Sequence, residues 1–216
     1  MSYNIDINLH RRLLTLLYKN EEEHVGSCFS CIDYLDEIWK NKNKDDIFIL
    51  SNGHAAYALY VLLEKYEGVD AQKLVDKHLG HPNLDYENKI YCTTGSLGQG
   101  ITVGVGAAIA SPHKNVYVSI SDGECAEGSV WESLRYIQEY HLNNIHVHVN
   151  LNGYACYDPI DTDYLERRLK AFLPRINIHR TTSSRFSFLR GIEAHYIKMD
   201  KQMYDKGCEE LITYER

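Results

Sequence analysis

Apolar residues recur at helical spacing over residues 7–19, where Leu9, Leu13, Leu14, Leu16 and Leu17 mark one face of an amphipathic helix. The loop KNEEEHVGSC follows, and a second amphipathic helix is predicted near 29–40. NKNKDD punctuates the chain before IFIL, a short apolar run that reads as a strand ending at Ser51-Asn52-Gly53. Helices are then predicted over about 54–65 and 70–79. The loop HPNLDYENK leads through YCTTGSLGQG into a helix rich in Gly and Ala from about 98 to 110, which SPHK breaks. VYVSI and IHVHVN read as strands separated by a helix over roughly 128–140. DTDYLERRLKAF looks helical, INIHRT reads as an edge strand, and QMYDKGCEELITYER as a terminal helix. This succession of strand, helix and strand predicts an α/β fold with a parallel sheet flanked by helices. Nothing marks a linker or an internal repeat, so a single domain over residues 1–216 is expected.

The apolar content of 44% and charged content of 25% are ordinary globular values and leave the pattern unchanged. A formal charge of -7 argues against a nucleic-acid binder, which concentrates Lys and Arg on one face. It does not exclude an anionic ligand, because a helix terminus or a bound cation reverses the field locally. The N-terminal MSYNIDINLHRRLL lacks the apolar core and cleavage site of a signal peptide, and ITVGVGAAIA is too short to span a bilayer. The expectation is a soluble, cytoplasmic protein with neither nucleic acid nor membrane as partner. Six cysteines do not make a disulfide scaffold. Cys28 and Cys31 form a CxxC without a second copy and sit on an apolar helical face, so they read as buried thiols.

The chemistry concentrates where strands end. VYVSI feeds Asp122 and IHVHVN feeds Asn152, and ligands of open parallel sheets gather beyond the carboxyl ends of strands. A carboxylate and an amide oxygen there suit a small hard cation such as Mg²⁺, seated between protein oxygens and the phosphates of a ligand. The plainer reading has Asp122 capping the next helix and Asn152-Gly153 making a turn; spacing alone leaves both open. In Thr94-Gly95-Ser96-Leu97-Gly98-Gln99-Gly100 the glycines permit close approach of a ligand to backbone N–H groups, ahead of a helix N-terminus that favours phosphate. Gly100, Gly104 and Gly106 equally serve close helix packing, and both readings hold together. The segment lacks the Lys and Ser/Thr of a P-loop, and no G-x-G-x-x-G follows an N-terminal strand.

Taken together, these pieces resemble the diphosphate-binding N-terminal domain of the transketolase family, which uses thiamine diphosphate. The resemblance runs from about residue 8 to 155. It is carried by His24-Val25-Gly26, Ser51-Asn52-Gly53-His54, Gly80-His81-Pro82, the TGSLGQG segment, Asp122-Gly123-Glu124 with Glu127-Gly128 and Trp131-Glu132, and Asn152-Gly153. It implies that Asp122, the side-chain oxygen of Asn152 and the backbone carbonyl of Tyr154 ligate Mg²⁺. It implies that His54, Gly95, Leu97, Ser121, Gly123 and Asn152 contact the cofactor, Leu97 against the thiamine rings. His24, His54 and His81 resemble the family's catalytic histidines, donating hydrogen bonds to a sugar hydroxyl or carbonyl and shuttling protons. Taken singly, such histidines are ordinary turn or surface residues, and His146 and His148 are assigned a structural role. Glu127 resembles a glutamate of the dimer interface; otherwise it is a first-turn acid complementing the helix dipole. Trp131 reads as a packing residue.

Full-length members place the cofactor between this domain and a pyrimidine-binding domain, followed by a third domain. The resemblance therefore implies a split enzyme, with a partner subunit bringing the activating glutamate and a working heterotetramer. The expected activity is transfer of a two-carbon ketol unit from a ketose phosphate to an aldose. Some positions depart from the family. Ser121 stands where Gly is usual, the loop after His24 is less glycine-rich, and the chain shortens after Tyr157. Residues 180–184 and Glu193-Ala194-His195-Tyr196 look like reduced remnants of longer elements, with His195 either facing substrate or lying on a surface helix. Two alternatives follow: a subunit of a decarboxylating acyl-transfer enzyme acting on a 2-oxo acid, and a catalytically silent binding or regulatory subunit.

Overall fold

The computed structural model describes residues 5–155 and 158–213. The elements run α1 (Ile7–Lys19), α2 (Val25–Asn41), β1 (Ile47–Leu50), α3 (Ala56–Glu67), α4 (Ala71–His78), α5 (Gln99–Ala110), β2 (Val116–Ser121), α6 (Gly128–Glu139) and β3 (Ile145–Leu151). The short β4 (Tyr154–Ala155) and β5 (Asp158–Pro159) follow, then α7 (Thr162–Phe172), β6 (Asn177–Arg180) and α8 (Lys201–Thr213). Cys156, Tyr157 and residues 214–216 of the expected terminal helix lie outside the described residues. No helix among the described residues is long and apolar enough to cross a membrane.

The chain gathers into two compact units. One comprises the chain up to Asn41, His54–Gly80 and the chain from Thr182; the other comprises Lys42–Gly53 and His81–Thr181.

The first unit is helical. Leu13, Leu14, Leu16 and Leu17 of α1 are fully buried, as their spacing requires. Asp6 caps α1 by accepting from the Leu9 N–H at 3.1 Å, and Asp70 caps α4 by accepting from the Gln72 N–H at 2.8 Å. α2 begins at Val25 rather than near 29. The correction has a plain cause: Val25, Cys28, Phe29 and Ile32 extend the same apolar stripe by one turn, and all four are buried. Cys28 and Cys31 are buried free thiols inside this helix.

The second unit holds a four-stranded parallel sheet in the order β1-β2-β3-β6, with β6 at an edge. Register pairs Ile49 with Val118, Val118 with Val147, and Val149 with Ile178. One face of the sheet packs Val116, Val118, Val147 and Val149 against Ile101 of α5, Leu134 of α6 and Leu169 of α7. Each such aliphatic side chain contributes about 1.5–3 kcal/mol by leaving water. Gly104 lets α5 lie directly on β2, since a Cβ there would stand 2.4 Å from Val118 Cγ2. Alternation sends the other residues to the opposite face: Tyr117, Ser119 and Ser121 on β2, His146, His148 and Asn150 on β3. His148 Nδ1 lies 2.8 Å from Nε2 of His179 on β6, with their rings stacked. Burial pushes His148 down to about 3 and His179 to about 4.

Candidate functional site: strand-end loops and a histidine cluster

β2 and β3 pair in register up to Ser121 and Asn150, so the two strands end at the same level. The Asp122 carboxylate, 2% exposed, is there wrapped in backbone donors. Its Oδ1 accepts from the Gly123 N–H at 3.1 Å, and its Oδ2 from the N–H groups of Asn152 at 2.8 Å and Gly153 at 2.7 Å. Asn152 Oδ1 in turn accepts from the Tyr154 N–H at 3.1 Å. The sheet thus brings together Asp122, Asn152 and the backbone of Tyr154. The turn reading holds locally as well, because Gly153 takes φ +97 and Asn152 bonds two residues on. A carboxylate oxygen and an amide oxygen each accept more than one bond, so this wrapping leaves both able to bind a ligand. A cavity of about 300 Å³ opens beside Asp122, lined by Cys125, Ala155, Ile160, Tyr164 and Arg168 among others. Asn152 is not among its lining residues.

Burial raises the Asp122 carboxyl to about 6 in spite of its backbone hydrogen bonds, which is the behaviour of a buried anion short of positive charge. Among the described residues no three His, Cys, Asp or Glu side chains are grouped to hold a metal. Hard cations such as Mg²⁺ take a different kind of set, carboxylate, amide and carbonyl oxygens with phosphate and water, and the strand ends bring a carboxylate and an amide side chain close together.

Behind these loops the glycines let neighbouring backbone segments approach closely. Gly53 packs on the loop before α5, where a Cβ would stand 2.6 Å from Gly95 N and Thr94 C. Gly95 takes φ +140 with the exposed His81 ring against it. Asn52 Nδ2 and Thr94 Oγ1, both buried in these two loops, have no hydrogen-bond partner, and such atoms point to a ligand. Leu97 is half-buried, and Gly123 and Ser121 are buried. The Ser121 hydroxyl is turned into its own turn, accepting from the Glu124 N–H at 3.3 Å.

Glu124 carries a role that its sequence position did not announce. It is fully buried and accepts from Ser51 Oγ at 2.5 Å, from the Gly98 N–H at 2.9 Å and from the Ser121 N–H at 3.0 Å. One carboxyl group therefore ties together the loops after β1 and β2 and the start of α5. Burial pushes its pKa up. The signal in the sequence is a second acid two residues after Asp122, in SISDGECA, with no basic residue near it. Glu127 is exposed at the start of α6 and makes no capping bond. Trp131 packs as expected: its Nε1–H donates to the Cys125 carbonyl at 2.9 Å and its ring meets Phe172 and Arg168.

In the first unit three histidines converge. His24 precedes α2, His54 lies in the turn before α3, and His195 ends the turn Gly191–His195. Each pair of rings has centroids 5.4 Å apart. The late segment is fixed to the loop before α2 by the Ile197 N–H donating to Glu23 O at 3.1 Å. Gly26 permits the approach, since a Cβ would stand 2.6 Å from Ala194 O. His195 Nδ1 lies 2.9 Å from Ser27 Oγ, and burial, with His24 adding to it, pushes His195 down to about 4. The structure places His195, half-buried, at the end of a turn and against the other two rings; the Glu193 side chain beside it lies outside the described residues. His81 belongs to the second unit.

Comparison with known proteins agrees with this geometry. The family described as "Transketolase, thiamine diphosphate binding domain" matches residues 23–172. The chain is 34% identical over 156 residues to one subunit of an apulose-4-phosphate transketolase of Phocaeicola vulgatus, covering 62% of this chain and 55% of that protein. The protein of the same name from Actinobacillus succinogenes is 30% identical over 189 residues, covering 75% of this chain and 68% of its own. Human "Transketolase" is 30% identical over 174 residues, 69% of this chain and 28% of that protein. The chain thus spans about half, or less, of the length of most of these relatives. The structure of "Transketolase from Leishmania mexicana" superimposes with a TM-score of 0.74 at 19% identity, over 95% of this chain and 40% of that one, a likeness of fold. The chain belongs to the transketolase family, through its thiamine diphosphate binding domain, and has that domain's parallel sheet flanked by helices.

Proposed function

We propose that this chain is the diphosphate-binding subunit of a transketolase-like transferase that moves a two-carbon ketol unit from a ketose phosphate to an aldose. A partner subunit supplies the pyrimidine-binding and C-terminal domains, in a heterotetramer. The observation that carries the reading is the buried Asp122 carboxylate at the end of β2, clasped by the Asn152-Gly153 turn at the end of β3. The two relatives whose names make them one subunit of a transketolase support the divided arrangement.

In this reading Asp122, Asn152 Oδ1 and the Tyr154 carbonyl hold Mg²⁺. Gly95, Gly123, Ser121 and His54 face the diphosphate, and Leu97 the thiamine rings. Asn52 Nδ2 and Thr94 Oγ1 acquire the partners they lack. Thiamine diphosphate, when bound, supplies the electron sink that carbon–carbon cleavage of a ketose requires. The histidines do the protein's share: His24, His54 and His81 accept or return hydroxyl protons and donate to carbonyl oxygens as charge develops. Glu127 sits at the contact with a neighbouring subunit.

The test is reconstitution. Purified with its native partner, the chain should transfer a ketol unit from a ketose phosphate to an aldose only when Mg²⁺ and thiamine diphosphate are both added. Release of CO₂ from a 2-oxo acid, without ketol transfer, would replace this reading with decarboxylating acyl transfer. Cofactor binding without turnover on either donor class would make the chain a silent subunit.

A further inference from the structure

Glu22 takes no part in the family resemblance, yet it touches the histidine cluster at His24. Its Oε1 lies 3.0 Å from His24 Nδ1. The same oxygen accepts from the backbone N–H groups of Glu23 at 3.0 Å and His24 at 3.3 Å. The two side chains are 13% and 17% exposed. Space for the carboxylate is made by Gly80, where a Cβ would stand 2.8 Å from Glu22 Oε2.

We propose that Glu22 is a positioning residue for His24: it binds the imidazole through Nδ1–H and thereby makes Nε2 the proton-accepting atom of the cluster. The inference rests on the proposed function for the use made of Nε2, and on geometry alone for the tautomer.

The argument is one of donors and acceptors. An ionised carboxylate only accepts, so the proton between Glu22 and His24 belongs to Nδ1, and the neutral ring carries its lone pair on Nε2. Free imidazole side chains favour the opposite tautomer, so the carboxylate reverses an intrinsic preference. Glu22 is ionised near neutral pH: burial pushes its pKa up, but the His24 ring and the backbone N–H groups outweigh that and hold it below the usual range. The groups facing it from α2 and α3 leave it the local anion. Cys28 and Tyr57 are both raised by burial and, in part, by the charge of Glu22, so they stay protonated. On the other side of His24, His195 is held neutral. When a substrate hydroxyl gives up its proton, the O–H bond breaks, an N–H bond forms at His24 Nε2, and the electron pair remains on oxygen. Glu22 then balances the imidazolium, and the same proton returns to the carbonyl oxygen of the acceptor as the new carbon–carbon bond closes.

The decisive experiment is a two-bond ¹H–¹⁵N spectrum of the full chain at neutral pH, with His24 assigned by its loss in His24→Gln. The expected result is an Nδ1–H tautomer for His24 that moves toward Nε2–H in Glu22→Ala. An Nε2–H tautomer in the wild type overturns the proposal, and so does an unchanged Nδ1–H tautomer in folded Glu22→Ala. Should Glu22→Ala not fold, Glu22→Gln serves, since its amide oxygen still accepts but carries no charge. In the reconstituted enzyme that variant should lower kcat by about tenfold to a hundredfold at unchanged KM, as loss of a general-base contribution does; an unchanged kcat, with or without a rise in KM, overturns the proposal. The spectrum needs no cofactor, partner or turnover. An Nδ1–H tautomer with an inactive complex would therefore sink the proposed function and leave the pairing intact.

Discussion

The strand-end loops of the second unit and the histidine cluster of the first are assembled by different means. Asp122 and Asn152 meet because two adjacent parallel strands end in register, so the sheet itself places them. Their supporting bonds run between short loops and end on backbone N–H groups, which depend little on which side chains surround them. His24, His54 and His195 meet because the start of α2, the turn before α3 and the end of a turn from far along the chain converge. Here side chains hold side chains: Ser27 meets His195, and Glu22 meets His24. A site of the first kind tolerates sequence change around it, whereas one of the second kind is sensitive to single neighbours. In the proposed enzyme this divides labour, cofactor anchorage falling to the sheet and proton handling to the cluster.

The largest effect should come from Asp122→Ala. Removing the only side-chain carboxylate of the proposed cation set should weaken Mg²⁺-dependent cofactor binding by about a hundredfold or more, measured by calorimetric titration, while the histidine cluster keeps its ring contacts. Equal affinity in variant and wild type would remove the distinction between the two regions. Glu124→Ala should come next. It strands the Gly98 and Ser121 N–H groups and the Ser51 hydroxyl in a buried site, at a cost of about 3 kcal/mol or more in urea unfolding. A loss below about 1 kcal/mol would mean that the strand-end loops hold themselves without it. Gly104→Ala pushes a methyl group against Val118 and should cost about 1–3 kcal/mol, with the cluster spectrum unchanged.

A further effect is one of pH. His148, His179 and His195 have folded-state values near 3, 4 and 4, below the ordinary 6.5. As pH falls, the unfolded chain takes up protons first, so their contribution to stability is complete above about 6.5 and is lost progressively toward 4. Denaturant midpoints measured across that window should decline, and His179→Asn should flatten the slope contributed by the sheet while leaving the share of the cluster. A slope unaffected by removing either His179 or His195 would place the acid sensitivity elsewhere.

What could be read from the sequence follows the same division. The leucine spacing of α1 and the alternation in IHVHVN are local patterns, and the elements form where those patterns lie. Asp122 and Asn152 were legible because a parallel sheet puts strand ends side by side regardless of detail. The start of α2 lies earlier than the loop-like composition of HVGSC suggests, because Val25 and Cys28 already carry the apolar stripe. Glu22, Glu124 and the location of His195 were not legible. Each is defined by a partner distant in sequence or by a backbone group with no residue identity.

Calorimetric titration of thiamine diphosphate into the reconstituted native complex, with Mg²⁺ present and then with a chelator, tests the central claim most directly. Cation-anchored binding predicts a clear isotherm with Mg²⁺ that weakens by about a hundredfold when the ion is removed. The same affinity in both conditions would contradict it, and with it the role given to the oxygens at the ends of β2 and β3.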